Sequence, residues 1–133
     1  MQRIWSASTS RLRWSRARAK DLYDRLAVGN LSDVLADEIA RGAKYDIVLA
    51  ADVFVYVNDL NKIIAAVARV LAMAGIFAFT VETHAGAGVA LLPTLRFAHG
   101  EKYLREAVAS GGLKLLALEK AAPVTGLVFL ASA

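Results

Sequence analysis

Several side chains that could move a proton or bind a substrate lie close together in the second half of the chain. They are Glu82, His84, Arg96, His99 and Tyr103. Imidazole suits general-base catalysis because its ordinary pKa is close to neutrality, and a carboxylate can play the same part. His84, His99 and Glu82 are therefore candidate catalytic residues. Arg96 and Tyr103 are candidates for contact with a substrate, and for each residue of the group a solvent-facing loop position is the alternative.

Asp52 is unusual for its surroundings, because the rest of residues 47–57 are almost entirely apolar. An unpaired buried carboxylate is costly, so a carboxylate in such a run favours a functional role. The alternative is a loop carboxylate that caps the turn following it.

Other kinds of site find little support. The sequence has no cysteine, which excludes disulfides and thiolate zinc sites. Two histidines with scattered carboxylates match no metal-ligand spacing, so we predict no metal site. Serine and histidine occur without a nucleophile-elbow motif, so a hydrolase triad is not indicated.

The basic charge is concentrated at the start of the chain. Residues 1–20 carry six basic and no acidic side chains, a charge of +6, and the other residues carry ten basic and twelve acidic ones, so +6 and −2 give the net +4. An organelle leader, a nucleic-acid arm that includes Trp5 and Trp14, and a stretch foreign to the domain remain open. We expect residues 1–16 to be a leader without a fold of its own, and no nucleic-acid partner for the mildly acidic remainder.

The hydrophobic fraction of 57% indicates buried strands rather than a membrane span. The longest apolar run is interrupted by Asp52 and is shorter than the roughly 20 residues that a spanning helix needs. A sheet buried on both faces explains the excess, and we expect a cytoplasmic protein.

Helical and strand patterns alternate along the chain. We predict a helix ending near Asp24, a strand at residues 25–28, a helix capped by Ser32, a strand at 45–51, a helix from about Asn58 or Asp59 with Gly75 just past its end, a strand at 76–81, a long loop, a helix at 100–110, and strands at 113–119 and 126–131. Such alternation implies a mainly parallel sheet, and the short final connection requires its two strands to be antiparallel neighbours.

Residues 45–79, YDIVLAADVFVYVNDLNKIIAAVARVLAMAGIFAF, resemble class I S-adenosylmethionine-dependent methyltransferases, specifically the broad small-molecule group. In that family the block forms the fourth strand, a loop, a helix and the fifth strand. The residues that match its pattern are Asp46, Asp52, Asp59, Arg69, Leu71 and Gly75. The resemblance runs over residues 17–131 and implies a Rossmann-like fold, S-adenosylmethionine as cofactor and a small-molecule methyl acceptor.

The resemblance also implies site residues. Asn30 stands where the family has an acidic residue facing the adenine, and Leu31 would flank the same ring. Ala51, Asp52 and Phe54 would line the methionine end of the cofactor. Met73-Ala74 replaces a usual Pro-Gly pair, which we expect to affect the turn more than the chemistry.

The front of the family pattern is missing. No G-x-G loop precedes Gly29 and no acidic residue precedes Asp21, so the first two family strands and the ribose-binding acid have no counterpart. The expected fold is therefore an α/β, Rossmann-like, mainly parallel sheet with an antiparallel C-terminal pair, lacking the first two strands and formed by residues 17–133. Methyl transfer would be impaired by the loss of the cofactor loop, and a non-catalytic remnant or interaction module is the alternative. Without those strands the apolar strand at 45–51 becomes an exposed edge, which predicts self-association.

Overall fold

The computed structural model of the protein describes residues 4–7, 25–28, 30–51, 53–121 and 126–133. The helices among them are α1 (Leu31–Ala40), α2 (Asn61–Val70) and α3 (Glu101–Ser110), with a short 3-10 helix at Phe54–Tyr56. The strands are β1 (Ile4–Ala7), β2 (Arg25–Val28), β3 (Tyr45–Ala50), β4 (Leu71–Glu82), β5 (Val89–Leu91), β6 (Phe97–His99), β7 (Lys114–Ala121) and β8 (Gly126–Ser132). The expected helix near Asp24 lies outside the described residues.

The fold is α/β, as predicted, but its main sheet is mixed rather than mainly parallel. β4 is the centre: β8 runs antiparallel along one side of it, and β3 and β6 run parallel along the other. β7 continues the sheet beyond β8 and β5 continues it beyond β6, both in antiparallel pairs. The predicted antiparallel pair at the C-terminus is confirmed as β7 and β8.

A strand precedes β2, contrary to the prediction. Ile4–Ala7 pairs in parallel with Arg25–Val28 as a separate two-stranded sheet. The Ser- and Arg-rich sequence has no alternation of apolar and polar residues that would predict a strand here. The strand forms by pairing with β2, and such tertiary pairing can outweigh local preference. The boundary proposed at residue 17 stays a prediction.

The connection from α2 to β4 also differs from the prediction. Gly75 does not cap α2, because β4 begins directly at Leu71 and contains the glycine. A Cβ at position 75 would lie 2.8 Å from the carbonyl oxygen of Ala72 and 3.0 Å from that of Tyr45, so close backbone contact requires glycine there. The left-handed residue is Ala74, with φ of 60°.

The core lies on one face of the main sheet. Phe54, Phe77, Phe79 and Phe129 form an aromatic cluster in which neighbouring ring centroids are 4.7–6.0 Å apart. Apolar side chains of all three helices join the same core. The helices thus cover this face and fix the loops that follow the strands. In the described part of the chain, no helix is long and apolar enough to cross a membrane.

Candidate functional site

A cleft of about 390 Å³ opens between the start of α1 and the residues that lead into α2. Its lining consists of Asn30, Leu31, Ser32, Tyr56, Val57, Asn58, Asp59, Lys62 and Ile63. The volume falls within the roughly 300–1,000 Å³ typical of sites for small molecules. One wall follows β2 and the other follows β3, so the cleft lies where two strands deliver their carboxyl ends, as ligand sites of open α/β sheets do.

Asn30 forms the first wall and caps α1. Its Oδ1 accepts a hydrogen bond of 2.8 Å from the backbone N–H of Ser32, which makes Asn30 the N-cap in place of the predicted Ser32. With the residues described, the side chain makes no other hydrogen bond, which leaves one lone pair of the oxygen and the amide donors for a ligand. Asn30 is exposed, whereas Leu31 is half-buried and packs on the core. The structure therefore brings both predicted adenine-side residues to the cleft.

The second wall consists of four consecutive residues, Tyr56, Val57, Asn58 and Asp59, which we call the cleft wall. Asp59 Oδ1 accepts a hydrogen bond of 3.0 Å from the backbone N–H of Asn61 and so supports the first turn of α2. The N-cap itself is Leu60, which has no side-chain capping hydrogen bond, so the predicted capping by Asn58 or Asp59 is wrong and Asp59 acts from one residue before the cap. A carboxylate at a helix N-terminus is favourable electrostatically as well.

Tyr103 reaches from α3 to the end of the cleft wall. Its hydroxyl accepts from the backbone N–H of Leu60 at 3.1 Å and from Asn61 Nδ2 at 3.3 Å, and it donates to Asp59 Oδ1 at 3.4 Å. Burial raises the pKa of Tyr103, with the negative charge of Asp59 adding to the rise, so the phenol stays protonated at neutral pH. In this structure the hydroxyl contacts the protein's own backbone.

His99 is fully buried, with an exposed fraction of 0%. Its Nε2 lies 2.9 Å from the carbonyl oxygen of Val57, so the ring carries its proton on Nε2 and donates it to the cleft wall. Burial lowers the pKa of His99, and the bonds to the Val57 and Asn58 carbonyls oppose that effect only in part. Nδ1 is buried without a hydrogen-bond partner among the residues described.

His84 stabilises its own loop. Its Nδ1 accepts from the backbone N–H of Gly86 at 3.1 Å, and Nε2 therefore donates to the carbonyl oxygen of Gly88 at 3.0 Å. Both ring nitrogens are engaged, which leaves neither available as a base while the loop keeps this shape.

Glu82 and Arg96 form an ion pair beside the cleft wall. Arg96 Nε lies 3.4 Å from Glu82 Oε1, and the Arg96 guanidinium carbon lies 5.8 Å from the centroid of the Tyr56 ring. Both charged side chains are partly exposed, and Glu82 Oε2 has no hydrogen-bond partner in the described part of the chain. This group joins the predicted long loop to a residue that lines the cleft.

The three residues expected at the methionine end have different surroundings. Ala51 is exposed in the bend after β3, whereas Asp52 lies outside the described residues. Phe54 is only 1% exposed and its ring belongs to the aromatic cluster, so its side chain faces the core and not the cleft.

The other residues that line the cleft were not predicted as binding residues: Ser32, Tyr56, Val57, Asn58, Asp59, Lys62 and Ile63. Their sequence pattern does not indicate a ligand site, because each of them lies in an apolar run or in the first turns of a predicted helix. The predicted long loop also contains the short strands β5 and β6, which set His99 beside Val57.

The sequence matches the family model described as a methyltransferase domain over residues 6–79, more than half of the chain. The chain therefore belongs to the methyltransferase-domain family, and S-adenosylmethionine is the cofactor of this family. No curated protein matches the sequence at a significant level.

Solved structures share the fold at low identity. An S-adenosylmethionine-dependent methyltransferase from Mesorhizobium loti superposes with a TM-score of 0.75 at 15% identity, covering 98% of this chain and 79% of that one. The 1,6-didemethyltoxoflavin-N1-methyltransferase of Burkholderia thailandensis, solved with bound 1,6-didemethyltoxoflavin and S-adenosylhomocysteine, superposes with a TM-score of 0.76 at 15% identity, covering 97% of this chain and 60% of that one. The cyclase SpnF gives 0.73 at 13% identity and covers 99% and 66%.

Proposed function

We propose that this protein is an S-adenosylmethionine-dependent methyltransferase that acts on a small molecule in the cytoplasm. The observation that carries the proposal is the cleft, because it joins Asn30 and Leu31, the residues matched to the family's adenine site, to the wall that follows β3. Its volume and its mixed polar and apolar lining fit the adenosyl part of the cofactor.

Within that cleft, the chain's own residues would hold and enclose the ligand. The amide donors of Asn30 suit the ring nitrogens of a purine, and Leu31 offers an apolar edge. When bound, S-adenosylmethionine supplies a methyl group already activated by the sulfonium. The protein's part is then to align the acceptor and exclude water, for which no dedicated catalytic side chain is needed.

The acceptor would lie near the Glu82–Arg96 pair. Glu82 Oε2 accepts no hydrogen bond from the residues described, and Tyr56 offers a half-exposed ring face close to Arg96. A substrate with an aromatic or planar body and a hydrogen-bond donor suits these groups. Glu82 is therefore a candidate proton acceptor as it stands, whereas His84 becomes one only if ligand binding changes its present contacts.

A second candidate is a non-catalytic module that does not bind the cofactor. In the family a G-x-G loop brings the backbone against the cofactor, and residues 1–28 contain no glycine, so the cleft described above would have to bind the cofactor without such a loop from these residues. The likeness to a cyclase adds that this fold is not restricted to one reaction.

Titration calorimetry with S-adenosylmethionine separates the two candidates. Saturable heat that disappears in Asn30→Ala supports the methyltransferase, with Asp37→Ala as the control because that residue lies on α1 away from the cleft. The absence of heat at millimolar cofactor, from protein with a cooperative melt, would favour the non-catalytic module. A methyl acceptor would then be sought with radiolabelled cofactor and pooled small molecules.

A further inference from the structure

The candidate base His99 and the candidate substrate contact Tyr103 both point at the back of the cleft wall. We propose that these two side chains are positioning residues, which hold residues 56–60 in the conformation that forms the cleft. The inference deepens the proposed function and rests on it only where ligand binding is concerned.

His99 supports the middle of the wall. The ring is fully buried, and its Nε2–H binds the Val57 carbonyl, which is 42 residues away in the sequence. In this position the imidazole cannot meet a ligand in the cleft without displacing the backbone that forms it. Its one protonated nitrogen is already committed to that backbone.

Tyr103 supports the end of the wall. Its hydroxyl satisfies the N–H of Leu60, one of the helix-start donors that have no partner within α2. The same oxygen contacts Asp59, which lines the cleft. The phenol thus fixes the point at which the wall becomes the helix.

The two supports act as one unit. His99 ends β6 and Tyr103 belongs to the first turn of α3, and their rings stack with centroids 5.9 Å apart at 26°. Leu60, the residue between the wall and α2, is itself 0% exposed. A change in either ring is therefore expected to loosen the wall locally, while the aromatic cluster of the core stays intact.

Conservative variants test the proposal. Tyr103→Phe removes the hydroxyl and keeps the ring, His99→Leu removes the donor, and His99→Gln can still offer an N–H near the place of Nε2. One net hydrogen bond corresponds to about a three- to ten-fold change in an equilibrium. We expect the affinity for S-adenosylhomocysteine, measured by calorimetry, to fall by about that factor in the first two variants and to recover in His99→Gln.

Amide hydrogen exchange provides a measurement that needs no ligand. Tyr103→Phe should speed the exchange of the Leu60 amide and its neighbours in residues 57–61, again by about three- to ten-fold, without changing β4 or β8. If the wild type binds no S-adenosylhomocysteine, the proposed function fails and exchange alone decides the role of the two rings.

Tyr45→Phe is the matched control. The Tyr45 hydroxyl donates to Glu38 at the other end of β3, away from the cleft. This variant should lower overall stability but leave the exchange of residues 57–61 and the affinity unchanged. Exchange that stays at the wild-type rate in Tyr103→Phe and His99→Leu, or that rises equally throughout the domain in them and in Tyr45→Phe, would overturn the proposal.

Discussion

His99 is a histidine whose protonation the fold opposes. Removal from water lowers its pKa from 6.5, and the nearby His84 adds to the effect when it is charged. Tyr103 stacks on the same ring and is neutral, so it supplies no compensating negative charge. The unfolded chain therefore binds a proton more tightly than the folded one does.

This difference predicts destabilisation by mild acid. Because the folded pKa lies below the unfolded one, the contribution of His99 is complete above about pH 6.5 and declines as the pH falls through that value toward the folded pKa. Urea unfolding of the wild type between neutral pH and pH 5.5 should show a loss of stability that His99→Gln reduces. An equal pH slope in wild type and His99→Gln would contradict the prediction.

The sequence could place both histidines in one region but could not distinguish their roles. Residue type and spacing are the same for a loop histidine and for a buried one. The distinction comes from the strand β6, which turns His99 toward Val57, and from the glycines around His84, whose backbone groups engage both ring nitrogens. Those contacts depend on tertiary pairing, which leaves no local pattern.

At the scale of elements, strong periodicity gave reliable predictions. β2 was predicted at residues 25–28 as observed, and the bounds of β3, α3 and β8 were predicted to within one residue. β5 and β6 were missed because strands of three residues are too short for alternation to distinguish them from loop, and β1 was missed because it lies in a Ser- and Arg-rich stretch without alternation. They are defined by their partners in the sheet.

The junction between α2 and β4 carries a strained residue. Ala74 adopts a φ of 60°, a conformation that costs a residue with a Cβ about 1–2 kcal/mol. Ala74→Gly removes that cost. Because glycine also raises the conformational entropy of the unfolded chain, it stabilises the unfolded state by about 0.4–1 kcal/mol. We therefore expect a net increase of about 0.5–1 kcal/mol in the free energy of unfolding. Ala72→Gly is the control, because Ala72 has no positive φ and its replacement should destabilise. A loss of stability in both variants, by urea denaturation, would show that the backbone at position 74 is not strained.

For the whole molecule, the two faces of the main sheet differ sharply. Phe77, Phe79 and Phe129 on one face are at most 1% exposed. On the other face Ile47 is 51% and Leu49 is 73% exposed, and β3 pairs with no strand other than β4 among the residues described. An apolar strand with an open edge and an open face is the kind that associates with other chains.

This asymmetry predicts self-association through β3. An antiparallel pair of β3 strands centred on Val48 would set Ile47 of one copy opposite Leu49 of the other, and Asp46 opposite Ala50, so that the apolar side chains meet and the carboxylates do not. We expect the wild type to form dimers or larger species whose proportion rises with concentration in analytical ultracentrifugation. Leu49→Lys should shift the protein toward monomer, because a charge on an edge strand opposes pairing. Met73→Lys adds the same charge at a site that is 97% exposed and outside β3, and should leave the association unchanged. A monomeric wild type at every concentration, or an equal response to both lysines, would mean that β3 is not the surface involved.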